Sequence, residues 1–366
     1  MPFCPGLPAE IVDEILDAIC DDCTRSEFHE HYQHDHPAKT FASLCLTSRL
    51  LNEFATKRLY RRPSTREWWL LARTLITRPD LAVMVNDLDL DYNEMSYPEP
   101  GDIGEEVQAW YLERMIPKIH PPISKPDNQD DDDEPGQYYD DYGRYGEMLD
   151  GHETLYDMST NAAIDMIAGL CPNIVTLQSA VWYMKAFTFC KPDSLLSLKH
   201  IKIFRGDVWS QGNMDIGELQ DLFRAAPNLE SVHFVHAGSC WDEFNRLYPE
   251  TADIKLEKVT RVFFWECGMP PESFRGVLGF FPNAERIRYG YCGYHHFQFK
   301  PQDLWDMVTD ANLMKNIKEF SFWYDGEGLH NDWEEKDFEH LERAFERRGI
   351  NFEHPYKDNQ CVKDLL

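Results

Sequence analysis

Apolar residues recur in two rhythms along this chain, a helical one over roughly the first eighty residues and a strand-like one over most of the remainder. Ile11, Val12, Ile15, Leu16 and Ile19 form an apolar stripe with Asp13, Glu14 and Asp17 turned to solvent, which predicts an amphipathic helix. Pro8 suits its first turn, where the missing N–H would be unpaired in any residue. A second short apolar segment runs through Phe41, Leu44, Cys45 and Leu46. Thr47 and Ser48 then offer a cap to a third helix, with Leu51, Phe54, Ala55 and Leu59 on one face. A fourth helix is predicted from about Arg66 to Arg78, stopping at Pro79.

Beyond Pro79 the rhythm becomes a six-residue pattern, apolar-x-x-apolar-x-apolar. It reads Val85/Leu88/Leu90, Leu198/Ile201/Ile203, Leu229/Val232/Phe234, Val259/Val262/Phe264, Ala284/Ile287/Tyr289 and Ile317/Phe320/Phe322, with Ile174/Leu177/Ser179 as an imperfect seventh. Three of these strands follow a helix-like segment and a Pro-Asn pair: Pro172-Asn173, Pro227-Asn228 and Pro282-Asn283. Those asparagines are 55 residues apart each time, and Lys315-Asn316 is a fourth instance without the proline. A period of this kind predicts stacked strand-plus-helix units, each burying its apolar face against the next. At the end of the chain Trp333, Phe338, Leu341 and Phe345, with Gly349 after them, predict a helix that caps the array.

Charge changes this picture in one stretch and bounds the partners overall. Eight basic residues lie between Arg49 and Arg78, whereas Asp91 to Asp157 holds nineteen acids, including the run Asp130-Asp131-Asp132-Asp133-Glu134. Residues 119–157 are rich in Pro, Asp, Gly and Tyr and poor in apolar surface, so a disordered acidic insertion is expected there, entered through a helix bearing Ile103, Val107, Trp110, Tyr111 and Met115. The net charge of −28 argues against general binding to nucleic acid or to an anionic membrane surface. The N-terminal stretch carries Glu10, Asp13, Glu14 and Asp17 without a basic residue before Cys20, unlike a signal peptide, and ten scattered cysteines suit a reducing compartment. The expectation is a cytoplasmic or nuclear protein.

Three separated blocks then carry a family resemblance. Leu7-Pro8-Ala9-Glu10-Ile11 with Ile15-Leu16, Leu44-Cys45-Leu46-Thr47-Ser48-Arg49-Leu50-Leu51-Asn52, and Leu59-Tyr60-Arg61-Arg62 occur in the order seen in many fungal F-box proteins. Residues 1–62 therefore resemble an F-box, with a His- and Asp-rich loop inserted between Cys20 and Ala38 where the family has a short turn. Residues 63–355 resemble a degenerate leucine-rich repeat, whose ninth consensus position is met by Asn93, Cys267 and Cys292 but by Gly206, Ala237 and Asp325 in other units. Residues 356–366 are left as a tail. The fold implied is an α/β protein with a three-helix F-box followed by an irregular α/β solenoid. The resemblance further implies a substrate-recognition adaptor of an SCF-type cullin-RING ubiquitin ligase. Such a chain docks on the S-phase kinase-associated adaptor protein, and through it on cullin, by way of Leu7, Pro8, Ile11, Ile15, Leu16, Leu44, Leu46 and Leu51. The alternative is an F-box-like interaction scaffold that works outside any ligase.

In a leucine-rich repeat the residues between the apolar positions face the concave surface. Here they include Lys202, His233, Arg261, Phe263, Trp265, Arg286, Arg288 and Trp323, a basic and aromatic set in an acidic protein. Arginine clusters suit carboxylates or phosphates, so the expected substrate is a protein with an acidic or phosphorylated segment. Candidate chemistry is sparse. Cys20 and Cys23 followed by His29 and His31 are the ligand types of a zinc site, though solvated loop residues are the plainer reading. The chain has no G-x-S-x-G, P-loop, H-E-x-x-H or dinucleotide fingerprint. No enzyme activity and no cofactor are expected, because other subunits of such ligases carry out ubiquitin transfer.

Overall fold

The computed structural model describes residues 8–24, 38–63, 65–90, 103–119, 160–181, 187, 190–205, 214–235, 237–238, 254–265, 267, 269–291, 300–310, 312–324 and 333–354. The chain starts with α1 (Ala9–Thr24), α2 (Ala38–Cys45) and α3 (Arg49–Arg61). Pro8 stands just before α1, where its carbonyl accepts from the N–H groups of Ile11 at 3.1 Å and Val12 at 3.2 Å. Val12 and Leu16 of α1, Phe41 of α2, and Leu51 and Ala55 of α3 make a small common core. The turn between α2 and α3 is closed by polar side chains. Ser48 caps α3 by accepting from Leu51 N–H at 3.2 Å, the Thr47 hydroxyl donates to Leu44 O at 2.7 Å, and Asn52 Nδ2 donates to Cys45 O at 3.0 Å.

The end of α3 joins these helices to the body. Leu59 packs on the small core while Tyr60 packs on the large one. Arg61 O accepts from Asn86 N–H at 3.0 Å, Arg61 pairs with Asp87 at 3.7 Å, and Arg62 pairs with Asp89 at 3.5 Å. Asp87 and Asp89 belong to β1 (Asp87–Leu90), the first strand of the sheet, so the chain leaving α3 shields that edge. The predicted fourth helix is shorter than expected, α4 (Trp68–Thr77), and Pro79 does more than stop it. It takes the first position of another turn, α5 (Pro79–Ala82), where a missing N–H has no cost. Next come α6 (Glu105–Ile119), with Ile103 and Val107 buried beneath it, and α7 (Thr160–Leu170). The expected disordered insertion falls almost wholly, and the C-terminal tail entirely, outside the described residues.

The remaining strands are β2 (Thr176–Val181), β3 (His200–Arg205), β4 (Met214–Asp215), β5 (Ser231–Val235), β6 (Ala237–Gly238), β7 (Arg261–Trp265), β8 (Arg286–Tyr291), β9 (Glu319–Tyr324) and β10 (Asn351–Glu353). Eight of them form one sheet in the order β1-β2-β3-β5-β7-β8-β9-β10, every pairing parallel, and β4 pairs with β6 separately. The molecule is therefore α/β with a parallel sheet whose order follows the chain. The apolar triplets read from the sequence lie in register. Leu88, Leu177, Ile201, Val232, Val262, Ile287, Phe320 and Phe352 form one row across all eight strands. The row beside it is Leu90, Ser179, Ile203, Phe234, Phe264, Tyr289 and Phe322. Its later members pack ring to ring, with Phe234–Phe264 centroids at 5.6 Å and Tyr289–Phe322 at 5.9 Å.

Helices cover this apolar face. They are α7, α8 (Gln220–Ala225), α9 (Pro271–Leu278), α10 (Pro301–Thr309) and α11 (Glu335–Arg347). Phe274 of α9, for example, meets Tyr289 edge-on at 4.9 Å. Three of these helices, α7, α8 and α9, end just before the Pro-Asn pairs. Each asparagine then donates from Nδ2 to a carbonyl of the turn before it: Asn173 to Val83 at 2.9 Å, Asn228 to Leu196 at 2.7 Å and Asn283 to Glu257 at 2.9 Å. Asn316 repeats the bond to Pro282 O at 2.9 Å. The repeated asparagines thus tie one turn to the next, before β2, β5 and β8 at alternate strands and again before β9. A uniform strand-plus-helix unit is not what forms, since the described residues between β2 and β3 are turns without a helix.

The last element corrects the expectation of a helical cap. Gly349, at φ 70°, ends α11, with its N–H bonded to Glu346 O and Ile350 N–H bonded to Phe345 O, and the chain turns back as an eighth strand. Phe352 of β10 stacks on Phe345 at 4.4 Å, which draws so short a strand onto the sheet.

Candidate functional site

Two surfaces hold the residues singled out from the sequence. On the helices, the structure divides the predicted adaptor contacts. Leu16 and Leu51 are buried in the small core and Leu44 packs partly against it, so these three hold α1, α2 and α3 together. Pro8 is exposed, and so are Ile11 (38%), Ile15 (48%) and Leu46 (89%). Pro8, Ile11 and Ile15 fall at i, i+3 and i+7 on one side of α1, a position away from the buried Val12 and Leu16. Leu46 stands in the turn between α2 and α3, and Leu50 (48% exposed) follows one helical turn on. Leu50 was missed in the sequence because Leu51, beside it, continues the buried stripe. Leu7 lies outside the described residues. Four of the seven exposed large apolar side chains among the described residues lie on these helices or in the turn between α2 and α3.

A buried arginine fixes the presentation of that surface. Arg58 of α3 donates from Nε and Nη2 to Asp17 Oδ1 at 3.1 and 2.7 Å, from Nη2 to Asp13 O at 3.0 Å, and pairs with Asp13 Oδ1 at 2.8 Å. Burial works against its charge, but the hydrogen bonds to Asp13 and Asp17 outweigh it and hold the guanidinium above its ordinary value. Because both carboxylates are about half exposed, the pairing is screened and contributes less than a fully buried one. Arg58→Ala is expected to weaken the seating of α1 by about 2 kcal/mol, seen as roughly thirtyfold faster amide exchange along α1. Exchange unchanged from wild type would show that Arg58 does not hold the helix.

The second surface is the sheet face opposite the helices. Its first row is Asp87, Thr176, His200, Ser231, Arg261, Arg286, Glu319 and Asn351, and its second is Asp89, Gln178, Lys202, His233, Phe263, Arg288, Ser321 and Glu353. All eight predicted binding residues are on this face, in two kinds of setting. Arg261, Arg286 and Arg288 are exposed, whereas Lys202, His233, Phe263, Trp265 and Trp323 are half-buried. Arg286 Nε lies 2.7 Å from Glu319 Oε2, and Arg288 Nη2 lies 3.8 Å from Glu319 Oε1. Arg288 also sits over the Phe263 ring at 5.6 Å, and Phe263 lies 5.7 Å from the His233 ring. Burial, with the Lys202 charge adding to it, pushes His233 down to about 3, so at neutral pH it contributes a neutral ring to the site. Trp265 packs against Gly290, where an added Cβ would come within 3.0 Å of its ring.

The zinc candidates His29 and His31 lie outside the described residues, as do the side chains of Cys20 and Cys23. Among the described residues no group of three or more His, Cys, Asp or Glu side chains is arranged to hold a metal ion. Cys267 is a core residue, its thiol donating toward Phe234 O at 3.5 Å and Trp265 O at 3.2 Å; Cys292 is outside the described residues. Burial pushes the Cys171 thiol up to about 12, leaving it protonated and unreactive at neutral pH. No helix of the described residues is long and apolar enough to cross a membrane. Comparison with protein-family models and with curated proteins gives no match to this chain.

Proposed function

We propose that this chain is a non-catalytic substrate-recognition subunit of an SCF-type cullin-RING ubiquitin ligase, working in the cytoplasm or nucleus. In this reading α1, α2 and α3 are an F-box, and the parallel sheet with its helices is a degenerate leucine-rich-repeat-like solenoid. The observation that carries the reading is the exposed apolar set Pro8, Ile11, Ile15, Leu46 and Leu50, which falls within the blocks that resemble the F-box pattern. A small helical unit whose core is five side chains gains from covering such a surface with a partner. The joint through Arg61 and Arg62 sets the direction in which the sheet is held relative to that partner, and the sheet's second face is left for a substrate. The chemistry of ubiquitin transfer belongs to other subunits. Co-expression with the S-phase kinase-associated adaptor and cullin should yield one assembly containing all three chains. If the folded chain elutes apart from both, the interaction-scaffold reading replaces this one.

A further inference from the structure

The arginines of the second face leave a charge imbalance that points to a ligand class. Arg261 and Arg286 are direct neighbours across β7 and β8, so two like charges stand about 5 Å apart in the backbone register, an arrangement that is unfavourable alone. Arg288 is two residues along the same strand. One carboxylate, Glu319, serves both Arg286 and Arg288. Among the described residues Arg261 has no ion-pair partner within 4.0 Å. Glu230 feels its charge, but is itself paired with Lys199 at 2.8 Å. Three guanidiniums facing Glu319, with Glu353 one strand further on and hydrogen-bonded to Ser321, leave a local cationic surplus in a protein of net charge −28. Phe263, under Arg288 and beside His233, gives the site an apolar floor.

We propose that this part of the second face, from β7 to β9, binds an extended acidic segment of a protein partner through successive Asp or Glu carboxylates that engage Arg261, Arg286 and Arg288. The spacing favours carboxylates along a chain over one compact anion. The strand positions that carry the cations are separated by about 5 Å across strands and about 7 Å along a strand, and same-side residues of an extended peptide repeat at about 7 Å. A phosphoryl group drawn to Arg286 and Arg288 would concentrate about two negative charges beside Glu319, whereas each carboxylate brings only one. Each carboxylate can instead take a separate guanidinium, with Arg–carboxylate geometry supplying the orientation. The proposal deepens, and rests on, the reading of this face as the substrate surface; adaptor capture by the helices is scored separately, so either can fail without the other.

The test is fluorescence anisotropy of a labelled Glu-rich peptide with the full chain, beside its Gln-rich counterpart and a phosphoserine peptide, at low and physiological salt. Wild type should bind the Glu-rich peptide with marked salt dependence and ignore the Gln-rich one. Arg261→Glu/Arg286→Glu/Arg288→Glu should weaken binding about tenfold or more, with cooperative melting retained and adaptor capture unchanged. Lys39→Glu/Lys315→Glu/Arg347→Glu, which alters net charge equally on other surfaces, should retain near-wild-type affinity. Equal weakening by both triple variants, no affinity for the Glu-rich peptide, or a clear preference for the phosphoserine peptide would each overturn the proposal.

Discussion

Phe264→Ala should destabilise the body by about 3–5 kcal/mol, a loss large enough to show as a much lower unfolding midpoint in urea or heat. Phe264 is the centre of the aromatic part of the core. Its ring lies 5.6 Å from Phe234, 5.5 Å from Phe274 and 6.0 Å from Tyr289, so truncation opens a cavity walled by two strands and α9 together. These large rings fix the distance between the sheet and its helices and cannot all collapse into the gap. The informative control is next door. Phe263 points to the other face and is half-buried, so Phe263→Ala should cost about 1 kcal/mol, mainly the contacts with His233 and Arg288. Because side chains alternate along a strand, a one-residue slip in register would reverse the two results. Equal losses at both positions would refute the assigned alternation at β7.

Ile11→Asp/Ile15→Asp should abolish capture of the ligase adaptor and leave the fold of this chain intact. Both side chains are substantially exposed, so replacing them removes little from the small core, which is built by Val12, Leu16, Phe41, Leu51 and Ala55. In a complex the same two positions would be covered, and two carboxylates without partners would then lose their water. Lost apolar burial and carboxylate desolvation together should weaken binding at least about hundredfold. Leu16→Ala offers the opposite pattern. It should destabilise α1 by about 2–4 kcal/mol and weaken capture only through loss of folded helix. If the two variants behave alike in both assays, the division between exposed and buried residues on α1 is wrong.

How far the sequence revealed this arrangement depended on how far each residue acts with its neighbours. The strand triplets were legible because a parallel sheet repeats one row of side chains. Val232, Val262 and Ile287 occupy equivalent places, and the pattern states this three times over. The Pro-Asn spacing was legible as well, but its cause was not. Only the fold reveals that Asn228 reaches Leu196 O and Asn283 reaches Glu257 O, each bond tying a turn to that of the neighbouring strand. β10 was missed because Asn351-Phe352-Glu353 is too short to establish a period, and Phe352 is recruited by Phe320 and Phe345. At the helical surface, apolar type alone could not separate Leu16 and Leu51, which build the core, from Ile15 and Leu50, which do not. Arg58 was invisible as a structural residue, since its partners Asp13 and Asp17 are over forty positions away. On the sheet face the alternation placed the named residues on one side, but pairing alters their chemistry: Glu319 neutralises part of the arginine cluster, and burial leaves His233 uncharged.

The most direct measurement is titration of the purified S-phase kinase-associated adaptor into purified wild type and Ile11→Asp/Ile15→Asp, with the folded state of each checked by thermal melting. Saturable binding by wild type and none by the variant is the expected result. A wild type that melts cooperatively yet leaves the adaptor unbound would contradict the role proposed for the helices.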